Sequence, residues 1–326
     1  MLPASAQDTL HHPTPSCPPP QLIDAFIFYN EFPLLSYRLS LLSPLVDKFV
    51  LIEARQTHRG SPKPLHFDDR KEEPQFKRHE EKLVHVVVDL PYPTRELAEG
   101  RSWENEAFQR NAIAQVLDSL DLPGRTDQDF GCAAADLLLV SDVDEIPDPS
   151  VLAALKESSY APPGTVPSSS SVLPPLLNLK MEMYYYTLRY KITSLPWLAP
   201  KLVTVPEFRR RLSEGETAST IRNLVAEQSA KSGWHLSYFG GVEMIGNKIR
   251  EFAHQEFNTG EFDDAAMLED RVRRGVDLFG RESVKMAVVE RAENDYLPAD
   301  LHVLEALVDV WGEGLGSGQV EIAAAA

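Results

Sequence analysis

Cysteine is nearly absent from these 326 residues. Cys17 and Cys132 are the only two, too few for a disulfide framework, so an oxidising compartment is neither demanded nor excluded. Basic residues are outnumbered, with 32 Lys and Arg against 49 Asp and Glu. The resulting net charge of −17 argues against nucleic acid or another polyanion as a partner for the whole surface. A nucleotide held through a metal stays open, because the metal supplies positive charge locally. Long apolar runs are missing too: nothing approaches the roughly 18 residues of a membrane span. The opening "MLPASAQDTLHHPTPSCPPP" has neither a basic n-region nor an apolar h-region, so no signal peptide is expected and the chain as it stands reads as soluble or cytoplasmic. What is present is ordinary for a soluble globular protein, 43% hydrophobic and 25% charged, in a chain long enough to bury a substantial core.

Residues 1–20 are rich in Pro and Ser and read as a disordered tail. "LIDAFIFYNE" then starts a folded part abruptly with a strand apolar on both faces. In "PLLSYRLSLLSPLV", Leu35, Leu39, Leu42 and Val46 recur at helical spacing. "KFVLIEA" and "KLVHVVVDL" read as buried strands. "SWENEAFQRNAIAQVLDSL" reads as a helix with Ser102 at its N-cap and Ala107, Ile113 and Leu117 along one side, and "DLLLVSD" as a fourth strand. Strands alternating with helices predict an α/β fold with a doubly wound, mostly parallel sheet and helices on both faces. A helix near 149–158, a low-complexity loop at 161–175, strands in "NLKMEMYYYTLRY" and "PKLVTV", and helices in "GGVEMIGNKIREFAH" and "DAAMLEDRVRRGVDLF" complete a single domain over 21–312. Residues 313–326 read as a flexible tail.

Polar residues fall at the carboxyl ends of the expected strands, where such sheets bind ligands: Asn30 and Glu31, then Glu53, then Asp142 and Asp144. In "DLLLVSDVDEIPDP" four apolar residues run straight into Asp142, Asp144 and Glu145. If the strand continues, the two aspartates share a face, about 6.6 Å apart at about 3.3 Å per residue. Hard oxygen ligands so placed suit Mg²⁺ or Mn²⁺, or divide between a cation and a sugar hydroxyl. Solvated loop acids, or caps for the helix near Pro149, are the plainer alternative.

Four segments, "DAFIFYNEFPLLSYRL", "VDKFVLIEARQTHRGSPKPLHF", "LVSDVDEIPDP" and "GWHLSYFGGVEMIGNKIREFAHQEFN", together resemble glycosyltransferase family 17, the β-1,4-mannosyl-glycoprotein 4-β-N-acetylglucosaminyltransferases that add the bisecting GlcNAc. The resemblance covers roughly residues 23–260. It implies a GT-A-like fold, a UDP-GlcNAc donor, an N-glycan or glycoprotein acceptor, a divalent metal and a Golgi setting. The Ser/Pro insertion and the lack of the animal enzymes' membrane anchor depart from that pattern.

By the same resemblance Asp144 ligates the metal, Asp142 holds ribose or a metal-bound water, and Glu145 supports them. Asn30 and Glu31 cradle the nucleotide or cap the next helix. Glu53 holds uridine or ribose, or is structural. His58, Arg59 and Lys63, on one loop, reach the diphosphate or acceptor, or are solvated. Arg110 and Asn111 face the donor or the surface. His235 is a third metal ligand or a core histidine, while Trp234 and Tyr238 stack on sugar or pack in the core. For the general base the candidates are Glu243, Glu251 and Glu256, with Glu243 preferred in the first turn of its helix and Glu251 expected on the same side. His254 and Gln255 serve acceptor or metal. The rivals are a metal-dependent phosphoesterase and a non-catalytic sugar-nucleotide-binding protein on the same fold.

Overall fold

The four apolar runs of the first half form strands in the computed structural model, which describes residues 19–94, 101–120, 135–159, 173–194, 196–252 and 264–312. The tails before 19 and after 312, most of the 161–175 loop, Cys17 and Cys132 lie outside the described residues. Chain order runs β1 (Leu22–Phe28), α1 (Phe32–Leu42), β2 (Lys48–Ala54), α2 (His66–Arg70), α3 (Pro74–Lys77), β3 (Leu83–Val88), α4 (Arg101–Ser119), β4 (Leu137–Asp142), β5 (Glu145–Pro147) and α5 (Pro149–Ser158). The second half adds β6 (Leu176–Tyr185), β7 (Tyr190–Ile192), β8 (Lys201–Thr204), α6 (Val205–Ser213), α7 (Ala218–Arg222), β9 (Glu227–Ser237), α8 (Val242–Glu251), α9 (Ala265–Arg274), β10 (Met286–Val288) and α10 (Leu301–Glu305).

Strands β3-β2-β1-β4 pair in parallel, in the order of a dinucleotide-binding half. Beyond β4 the sheet turns mixed: β8 is antiparallel to both β4 and β6, while β9 runs parallel to β6. The parallel reading therefore holds for the first half, and the second half completes a GT-A-like α/β architecture. Two antiparallel steps restore direction, so β1, β2, β4, β6 and β9 all point their carboxyl ends the same way. That shared edge carries the site.

The sheet alternation sorts β1 between two cores. Leu22, Phe26 and Phe28 pack with α1, Phe76 and Leu152 on one face, whereas Ile23 and Ala25 pack with α4, α6 and α7 on the other. A third apolar cluster seats α8 and α9 against Tyr185, Tyr186 and Tyr190. Ser102, expected as an N-cap, lies inside the first turn of α4.

Two charges sit inside this apolar framework. Asp24 on β1 and Arg38 on α1 are both fully buried, and the guanidinium donates from Nε and Nη2 to the two carboxylate oxygens at 2.8 and 2.6 Å. Its remaining N–H groups reach Ser141 Oγ at 2.6 Å and the carbonyls of Asp142 and Glu145 at 3.0 and 2.6 Å. All five donors of Arg38 are thus satisfied, and they converge on the end of β4. Replacing Arg38 with Met leaves Asp24 buried without a counter-charge. The expected loss is about 3–5 kcal/mol in denaturant unfolding, partly recovered when Asp24→Leu is added. An equal loss in the single and double variants would contradict this reading.

Candidate active site

A cavity of about 570 Å³ opens at the shared carboxyl edge of the sheet. Residues following β1 and β2 line one side, including Tyr29, Gln56, Thr57, His58 and Lys63, with Trp103, Glu106 and Gln109 from α4. Met183 and Tyr185 from β6, with Phe279 and Arg281, line another. Asp142, Val143 and Asp144 lie between them, with His235 and Ser237 of β9 and with Lys248 and Glu251 of α8.

The acidic stretch is bent rather than extended. β4 stops at Asp142, Val143 and Asp144 form a turn, and Glu145 starts β5, which pairs antiparallel with β9 so that Glu145 opposes His235. The expectation that Asp142 and Asp144 share a strand face is therefore replaced by a turn that presents both to the cavity. Gly233 permits this pairing: its φ is +145°, and a Cβ there would lie 2.2 Å from the Ile146 carbonyl oxygen.

Cations meet all three acids of this stretch, Arg222 being shared by Asp142 and Glu145. Arg110 and Arg222 donate to the two oxygens of Asp142 at 2.7 and 2.6 Å. Burial alone would raise the Asp142 pKa, but the two guanidinium groups bring it down to about 2. Asp144 takes Lys248 Nζ at 2.8 Å on one oxygen and has His235 Nε2 at 3.5 Å from the other. Against a burial that favours the neutral acid, Lys248 and then His235 hold it far below the usual carboxylate range. Glu145 accepts from Arg222, from Trp197 Nε1 and from the Asp142 backbone N–H. Burial nevertheless raises its pKa against the pull of Arg222. Burial likewise raises Glu31 despite Lys248, and the Asp144 charge adds to the rise.

The sequence profile of glycosyltransferase family 17 matches residues 3–284. The chain belongs to glycosyltransferase family 17. It is similar to the β-1,4-mannosyl-glycoprotein 4-β-N-acetylglucosaminyltransferases of rat and human, 30% identical over 129 residues, and of mouse at 29%. Each alignment covers 40% of this chain and 22% of the relative, so the chain spans about a fifth of the length of the curated relatives it matches.

In this family 17 chain the expected residues divide clearly. Glu31, His58, Lys63, Asp142, Asp144, His235, Tyr238 and Glu251 line the cavity. Asn30 instead borders a small hollow behind Glu31, Asp144 and Lys248. Glu53, fully buried, is held by Lys63, His85 and the Phe67 backbone N–H. Burial would raise its pKa, yet His85 and Lys63 keep it low. It does not line the cavity. Arg110 faces Asp142 and Glu106 rather than the cavity, and Asn111 accepts from the Ser219 backbone N–H. Arg59 offers its carbonyl to Thr94, and its side chain is not on the cavity wall.

Trp234 lies in the core, 1% exposed and stacked on Tyr296 at 4.8 Å, which removes it from sugar stacking. The strand ends at Ser237, and Tyr238 takes a left-handed φ of 62°, so its ring joins His235 on the cavity side instead of following Trp234. Glu243 is exposed and off the cavity wall. Eight residues along a helix is about 80° of rotation rather than the same side, which is why Glu251 enters the cavity and Glu243 does not. His254, Gln255 and Glu256 lie outside the described residues.

The cations Arg38, Arg222 and Lys248, with Trp197 and Gln109, escaped the sequence reading. Arg38 had a signal: an arginine inside an apolar helical stripe opposite an aspartate inside an apolar strand. Arg222 had none, because α7 is a single short turn of helix. Among the described residues five buried side-chain atoms lack a hydrogen-bond partner. Three of them, Arg222 Nε, His235 Nδ1 and Glu251 Oε2, belong to cavity residues. Unmet hydrogen-bonding capacity is concentrated where a polar ligand would sit.

No three His, Cys, Asp or Glu side chains converge as a ready metal cluster among the described residues. Asp144 and His235 do fit a divalent ion as a pair of neighbouring oxygen and nitrogen ligands, the remaining positions suiting water and phosphate oxygens. Arg222 bridges Asp142 and Glu145, so Arg222→Met should cost about 3–5 kcal/mol in unfolding experiments. Adding Glu145→Gln should cost much less than the sum of the two single changes. Simple additivity would show that the bridge is not coupled to Glu145.

Proposed function

We propose that this chain transfers N-acetylglucosamine from UDP-GlcNAc to a β-linked mannose of an N-glycan, inverting the anomeric carbon, with Mn²⁺ or Mg²⁺ as the metal. One observation carries the reading. The cavity gathers Asp142, Asp144 and three unpartnered buried polar atoms at the carboxyl edge of a family 17 sheet. The donor, the acceptor and the metal extend to this chain what the relatives' names and the shape of the site support.

The chemistry required is a single in-line displacement. The acceptor hydroxyl forms a bond to the anomeric carbon as the bond to the β-phosphate oxygen breaks, and UDP departs with that electron pair. Asp144 and His235 would hold a divalent ion, which would supply positive charge against the departing diphosphate. Asp142, fixed by two arginines, offers a rigid carboxylate edge beside it. A base must take the acceptor proton. Of the two candidates among the described residues, Glu251 fits that task better than Glu243, because it lines the cavity with a buried oxygen that has no hydrogen-bond donor. Its charge, after burial, also helps push the neighbouring Tyr29 up to about 12.

Incubation with UDP-GlcNAc, Mn²⁺ and free N-glycans should release UDP and yield a product heavier by one N-acetylhexosamine. Glu251→Gln should lower kcat by about 10²–10⁴-fold with little change in donor KM. Glu243→Gln should leave both unchanged. UMP and GlcNAc 1-phosphate in place of UDP would favour a phosphoesterase, and binding without turnover a sugar-nucleotide-binding protein.

A further inference from the structure

The cations around the two aspartates differ in kind. Arg110 and Arg222 are planar forks, 2% and 7% exposed, each tied to a second carboxylate as well as to Asp142. Lys248 is a single ammonium on a flexible stem, 22% exposed along its side chain, with Asp144 as its 2.8 Å partner. The Phe252 and Tyr238 rings flank its nitrogen at 4.9 and 5.6 Å, and the cavity opens beside it. Asp144 has no such latitude: it is 4% exposed and hemmed between Lys248 and His235.

Lys248 is on one Asp144 oxygen and His235 faces the other, so a divalent ion bound beside His235 would lie close to the ammonium, and the repulsion between them would weaken the hold of each on the carboxylate. We propose that Lys248 and the divalent metal exchange at Asp144: the ammonium balances the carboxylate until the metal takes its place, and the displaced ammonium then binds the diphosphate of the donor. This rests on the transferase reading of the same cavity. Lys248 is then both a competitor of the metal and a ligand of the substrate, and metal and UDP bind with positive coupling.

The test is a pair of titrations on the full chain. Mn²⁺ binding alone is followed by the spin-resonance signal of the free ion, and UDP binding at saturating Mn²⁺ by calorimetry. In Lys248→Met, Mn²⁺ should bind about tenfold more tightly and UDP about tenfold more weakly, changes of opposite sign. Lys248→Arg, which keeps the charge, should hold Mn²⁺ affinity near that of the native protein, and thermal unfolding checks that each variant is folded. Unchanged or weaker Mn²⁺ binding in a folded Lys248→Met protein overturns the exchange. Failure of the native protein to bind UDP with any divalent ion overturns the transferase reading and the diphosphate half of the exchange. The competition for Asp144 is still decided by the metal titration.

Discussion

A buried guanidinium organises this molecule. Arg38 joins helix α1, strand β1 and the end of β4 through five N–H donors, and its formal counter-charge is Asp24. A desolvated ion pair is weak evidence for stability by itself. Here, though, three of the donors go to the backbone and hydroxyl of residues 141–145, the segment that must bend. The turn at Val143–Asp144 forfeits strand pairing, and carbonyls left facing inward would be costly without a donor. Arg38 supplies that donor. The acids can then leave the sheet and face the cavity without leaving orphaned backbone behind them.

Above this anchor the site is arranged as opposed charges rather than as a bare acidic cluster. Asp142, Asp144, Glu145 and Glu31 would repel one another, and burial makes that repulsion worse. Arg110, Arg222 and Lys248 offset it. The outcome is unequal. Asp142 and Asp144 are held ionised, while Glu31 and Glu145 are pushed toward their neutral forms. Carboxylates kept ionised at the cavity wall suit cation and sugar contacts.

The sequence announced the parallel half of the sheet because each strand there is a continuous apolar run ending in polar residues. It also singled out Asp142, Asp144 and His235, which the folded chain brings to one cavity, since a buried strand breaking into carboxylates needs an explanation. It misplaced what depends on distant contacts. Asp144 leaves the strand because β5 is captured by β9, a pairing about 90 residues away in the chain. Tyr238 changes sides because of one left-handed residue. In sequence Glu243 is preferred and Glu251 expected on the same side, because eight residues is close to, but not, a whole number of helical turns. Arg222 and Lys248 carried no local pattern that set them apart from surface cations. Their role exists only once α7 and α8 are folded against the acidic turn.

The central claim is that the turn at residues 141–145, held from behind by Arg38, meets the donor together with His235 and Lys248. Hydrogen–deuterium exchange with and without UDP-GlcNAc and Mn²⁺ reads this directly. Protection should concentrate in peptides covering 141–145, 234–238 and 242–252. Donor binding with no protection in the 141–145 peptide, or protection confined to the β7–β10 edge, would contradict it.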